Sequence, residues 1–138
     1  IVTGPGYENF KELKNKVSLD KLSKVTHDTG VISKIMKSAD LAITSNGRTV
    51  YELAHMNIPT IVISQHQRET THLFANKSNG FVSLGKYKGT KTLKKVGTVM
   101  TELQENVTMR RKLFTRMKKY NFNNKIKIKN KIIDIVNS

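Results

Sequence analysis

Short apolar runs alternate with stretches of helical spacing along the chain. Residues 1–5, "IVTGP", read as the end of a buried strand stopped by Gly4, Pro5 and Gly6. Residues 8–15 are polar and read as a loop or short helix, and "KVTHD" (24–28) as a short strand. Residues 29–39 place Val31, Ile32, Ile35 and Met36 at helical spacing, with Asp28 or Thr29 available as N-cap. "DLAIT" (40–44) is a short apolar run ending in Ser-Asn-Gly. A helix is expected over 49–56, with Val50, Leu53 and Ala54 on one face and Asn57 as its stop. "PTIVIS" (59–64) is β-branched and almost wholly apolar, which predicts a strand covered on both faces.

The second half continues the alternation. Residues 67–79 predict a helix burying Leu73, Phe74 and the stem of Lys77, with Gly80 placed as its cap. "FVSLG" (81–85) predicts another strand, and 91–104 and 107–120 predict two helices. The second of these shows Met109, Leu113, Phe114 and Met117 on one stripe. The tail alternates at "IKIK", but Ile128, Ile132, Ile133 and Val136 fit a helix better, so 107–138 is read as basic C-terminal helices. Strands separated by helices predict an α/β fold, doubly wound around about five parallel strands. Such sheets hold ligands outside the carboxyl ends of their strands. Here those ends are Gly4 to Gly6, His27 to Gly30, Ser45 to Arg48, Gln65 to Glu69 and Gly85 onward.

Composition narrows the classes. The 138 residues are 37% hydrophobic, enough for a single domain over 1–138 with its own core. No apolar run approaches the ~20 residues of a membrane span. The start lacks a signal peptide's pattern and a Met, and is expected to be a cut edge. Without cysteine there are no disulfides, thiolate metal sites or cysteine nucleophiles, and the expected location is cytoplasmic. The net charge of +15 is uneven. Residues 1–85 carry 10 Lys/Arg against 7 Asp/Glu, whereas 86–138 carry 15 against 3. A basic half suits nucleic acid or an anionic membrane surface, although Lys-rich, Arg-poor usage is also what an AT-rich genome writes. The chain shows no aromatic platform or RNA-recognition signature, which argues against nucleic acid. The four histidines, His27, His55, His66 and His72, lack metal-ligand spacing, so neither a metal nor a cofactor is expected.

Candidate chemistry gathers at Ser45-Asn46-Gly47-Arg48-Thr49. Gly47 lets backbone approach a ligand, and the helix that follows offers free N–H groups and a favourable dipole to an anion. Thr49 adds a hydroxyl and Arg48 a charge-assisted bond. Glu52 has two readings. With Thr49 it matches a capping box, which needs no ligand. Alternatively its two oxygens accept from the vicinal hydroxyls of a ribose.

The stretch from Ser38 to Gly85 resembles the C-terminal, nucleotide-binding half of GT-B-fold enzymes that use UDP-sugars. The shared pattern is Ala39-Asp40, then Gly47-Arg48-Thr49-Val50-Tyr51-Glu52, then Pro59 to Ile63, then Gln65 to Ala75. It is similar to the UDP-sugar hydrolase of the pseudaminic-acid pathway and to spore-coat polysaccharide proteins. More distantly it resembles the transferase that adds N-acetylglucosamine to the peptidoglycan lipid precursor. The resemblance implies a Rossmann-like domain of a hydrolase or glycosyltransferase in surface-glycan or nonulosonic-acid biosynthesis, lacking its N-terminal domain. It implies that Asn46, Gly47, Arg48 and Thr49 hold the diphosphate of a UDP-sugar and that Glu52 holds the ribose. Gln65, Gln67 and Glu69 would lie near phosphate or sugar, the segment Val25 to Asp28 would edge the base, and Gly4 and Gly6 match the first glycine turn. Apart from the resemblance, His27 and His66 lie at predicted strand ends, where either could touch substrate. Relatives carry a small residue where Arg48 stands. The hydrolases' catalytic base belongs to the N-terminal domain, so no catalytic residue is assigned here.

Overall fold

The computed structural model describes residues 1–120 and 125–136, without the side chains of 125–129. The Ile128 side chain and residues 121–124 and 137–138 of the basic tail therefore lie outside the description. The five expected parallel strands form, and they pair as one sheet of two and one of three. The chain divides into two compact units, Ile1–Ser38 and Ala39–Ser138.

In the first unit, β1 (Val2–Thr3) and β2 (Thr26–His27) run parallel, Val2 opposite Thr26 and Thr3 opposite His27. The polar stretch after β1 becomes a helix, α1 (Phe10–Ser18). The next helix, α2 (Ile32–Lys37), is shorter than its apolar spacing predicts. Neither Asp28 nor Thr29 caps it. Asp28 is left-handed at φ 45°, and the Thr29 hydroxyl accepts the Val31 N–H at 3.1 Å, which closes a local turn ahead of the helix.

In the second unit, β3 (Ala42–Ser45), β4 (Thr60–Ser64) and β5 (Phe81–Lys86) pair in that order. All five residues of β4 are buried, as an apolar β-branched run between two neighbours requires. Alternate residues leave it on opposite faces. Val62 packs with Val50 and Ala54 of α3 (Thr49–His55), with Ala75 and Phe81, and with Met117. Ile61 packs with Leu103 of α4 (Thr90–Glu105) and Leu113 of α5 (Val107–Met117). Helices therefore cover both faces of this sheet, and each fully buried aliphatic or Phe side chain stabilises it by about 1.5–3 kcal/mol. Phe114 leaves the expected stripe. It is half-exposed, with the Lys118 ammonium 5.0 Å from its ring centre. The tail forms α6 (Lys125–Val136), the helix that its spacing predicts.

Asn57 ends α3 as expected, at φ 59°. Its N–H bonds the Ala54 carbonyl and the Ile58 N–H bonds that of Leu53, both at 3.0 Å. This is a Schellman cap, and its accompanying apolar pair, Ile58 and Leu53, is buried. The Asn57 side-chain oxygen is buried with no partner. Asn57→Gly removes both that orphan and the left-handed cost, so a gain of about 0.5–1 kcal/mol is expected. Urea unfolding reads it, and an unchanged midpoint would contradict this account of the cap.

The expected helix over 67–79 does not form. Two 3-10 turns, Gln67–Thr71 and Lys77–Asn79, flank an irregular stretch. Leu73, expected inside, is 81% exposed, and Lys77 is exposed too, while Phe74 packs against the core. The cause lies in side chains that capture backbone groups, Asn46 above all.

Candidate functional site

Parallel strands of one sheet end on one rim, so the loops after β3 and β4 share it. After β3 the backbone turns at Asn46 and Gly47 and enters α3 through Arg48. Asn46 is 4% exposed. Its amide donates to the carbonyls of Glu69 (2.8 Å) and His72 (3.0 Å). The His72 Nδ1–H donates back to the Asn46 carbonyl at 2.7 Å, the acceptor fixing that tautomer. In an α-helix those two carbonyls would accept from residues 73 and 76. Asn46 takes them instead, and the segment after β4 stays in 3-10 turns pinned against the β3 loop.

Asn46→Ala removes these bonds and leaves two part-buried carbonyls to find water. A loss of about 1–3 kcal/mol is expected. Thermal unfolding measures it, and an unchanged midpoint would mean that the staple is not formed in solution.

Gly47 needs no special backbone region, and an added Cβ would meet only the Ser45 hydroxyl, at 3.5 Å. The fold alone does not demand glycine there. Among the described residues no acceptor takes the N–H groups of Gly47, Arg48 or Thr49. Arg48 is exposed and Ser45 and Thr49 are half-buried. The loop thus offers three amides, a hydroxyl and a cation on one side of the rim.

The capping box is absent. Arg48, not Thr49, is the cap residue, and at φ −66° and ψ −28° it is already helical, with no side-chain cap bond. A capping box requires an extended cap residue whose N–H the glutamate can reach. Glu52 is exposed in the first turn of α3, and its carboxylate bonds no described residue.

After β4, Glu69 is occupied structurally, its Oε2 accepting the Gln65 N–H at 2.7 Å. Gln65, His66 and Gln67 are exposed. The Gln67 side-chain oxygen accepts from Lys86 Nζ at 3.4 Å, which brings the end of β5 to the same rim. Lys86 falls at the strand end expected from Gly85 onward, whereas His72 was not legible as a rim residue, because only its bond to Asn46, 26 residues earlier, places it. Of the expected set, Ser45, Asn46, Gly47, Arg48, Thr49, Glu52, Gln65, His66, Gln67 and Glu69 belong to this unit.

Gly4, Gly6 and His27 belong to the first unit. A Cβ at either glycine meets nothing within 4 Å. His27 is half-buried, its Nδ1 2.9 Å from the Thr3 hydroxyl and its ring stacked on Phe10 with centres 4.2 Å apart. Those contacts give it a packing role. Among the described residues, no cluster of three metal-ligating side chains occurs and no helix is long and apolar enough to cross a membrane.

The family model described as glycosyltransferase family 28 C-terminal domain matches residues 1–133. An uncharacterized protein of Methanocaldococcus jannaschii is 31% identical over 70 residues, covering 49% of this chain. The match spans only 14% of that relative's length. No solved structure matches the chain.

Proposed function

The chain belongs to the glycosyltransferase family 28 C-terminal domain family, and from that premise we propose that it binds a UDP-sugar at the rim of its three-stranded sheet. The carrying observation is the loop after β3, where the amides of Gly47, Arg48 and Thr49 have no described partner. In this reading they donate to the oxygens of the diphosphate, helped by the Thr49 hydroxyl and the Arg48 guanidinium. The Glu52 carboxylate accepts from the ribose hydroxyls. Gln65, His66 and Gln67 face the sugar end. Glu69 supports the site from behind, because its oxygen already holds the Gln65 N–H.

The domain supplies donor binding, and the group that activates the acceptor or water comes from outside this chain. The family's own description favours transfer over hydrolysis. The setting we propose is surface-glycan or nonulosonic-acid biosynthesis. A nucleic-acid role is disfavoured by where the basic side chains go. Arg110 donates to the Leu103 and Gln104 carbonyls, Arg116 to that of Lys77 and Lys119 to that of Ser78. These cations cap helix and turn ends, where the carbonyl dipoles favour them.

Calorimetry with UDP, UMP and CMP tests the reading. UDP is expected to bind most tightly, UMP more weakly for want of the second phosphate, and CMP no better than UMP. Turnover of UDP-sugars by this chain alone is expected to be negligible. Absence of UDP binding at millimolar ligand would overturn the site, and full turnover would overturn the division of labour.

A further inference from the structure

β5 is an outer strand of its sheet, with β4 on one side only. Along its other side lies a groove of about 770 Å³, roofed by α5 and reaching the end of α4. It is separate from the nucleotide rim, because it touches the start of β5 at Phe81, Val82 and Ser83 rather than the strand's carboxyl end.

The backbone of β5 explains what the groove offers. The Phe81 N–H turns away from β4 and donates to the Asn76 carbonyl at 3.0 Å. Strand geometry alternates the direction of these groups, so Ser83 points its N–H and C=O outward as well. None of the described residues bonds the outward pair on Ser83. An outer strand in this condition is a template for another strand.

The walls set the chemistry. Val82, Met109 and Leu113 give an apolar lining, whereas Lys77, Lys112 and Arg116 bring three cations against the single carboxylate of Glu102. Arg116 is already oriented, since one of its nitrogens donates to the Lys77 carbonyl at 2.9 Å. A shallower depression continues along α5 and adds Arg111.

We propose that this groove binds an extended acidic peptide, which adds as a strand beside β5. Its backbone pairs with Ser83, its apolar side chains point to Met109 and Leu113, and its carboxylates meet Lys77 and Lys112. Strand addition gives affinity through the main chain, and the alternate side chains give selectivity.

The test uses the whole chain and a short dye-labelled peptide of alternating glutamate and valine, read by fluorescence anisotropy. Saturable binding that weakens with added salt is expected. The exposed change Lys112→Glu should weaken it about fivefold while leaving the circular dichroism spectrum unchanged. A peptide of the same sequence methylated at every backbone nitrogen should not bind, because it cannot donate to a strand edge. No binding of the parent peptide overturns the proposal. Equal binding of the methylated peptide, or of Lys112→Glu, overturns it too, by showing a diffuse surface attraction. UDP binding is indifferent to all of these outcomes.

Discussion

Gly80→Ala is expected to lower folding stability by about 2–4 kcal/mol, a large share of the ~5–15 kcal/mol that holds a domain folded. Gly80 sits at φ 90°, where an L side chain is strained. A methyl there would stand 2.5 Å from the Leu113 carbonyl oxygen and 2.6 Å from the Met117 side chain. One neighbour is backbone within α5, and the other is fully buried. Relief therefore means moving α5 away from the sheet. Gly85 separates the two causes. It is also left-handed, at φ 73°, but a Cβ there meets nothing. Gly85→Ala should cost only the strain, about 1 kcal/mol. Urea midpoints for the two variants decide the matter, and equal losses would refute the packing argument.

The second expectation concerns Glu52. If it holds the ribose, Glu52→Ala removes two charge-assisted hydrogen bonds made only with ligand. UDP affinity should then fall by about 10–100-fold, or roughly 1.4–2.8 kcal/mol. Stability should stay within about 0.5 kcal/mol, because the carboxylate is exposed and caps nothing in the folded chain. The split between the two readouts is the point. Loss of stability with unchanged affinity would restore the capping role. Calorimetry and urea unfolding on the same preparation give both answers.

The sequence announced most of what is periodic. β4 is continuous in its apolar residues, and burial on both faces was readable from that run. The face of α3 formed by Val50, Leu53 and Ala54, and its stop at Asn57, follow from spacing and from asparagine's readiness to turn left-handed. What failed is what depends on partners distant in sequence. Residues 67–79 carry enough helical spacing to mislead, because nothing in them reveals that Asn46, more than 20 residues earlier, will claim two of their carbonyls. Phe114 sat on an apolar stripe by count, yet the ring lies beside Lys118 at the surface. The site showed the same division. The Gly-x-Thr-x-x-Glu turn and the strand end after Gly85 are local and were legible, whereas His72 joins the rim only through its bond to Asn46.

The Asn46 staple bears on how this site can change. One buried amide holds the loop proposed for the diphosphate against the segment proposed for the sugar. Grafting a relative's residues 65–72 to alter sugar choice would also disturb the anion cradle, unless its counterpart of residue 46 came along. In evolution as in engineering, donor preference and phosphate grip should drift together in this fold, inherited as one block.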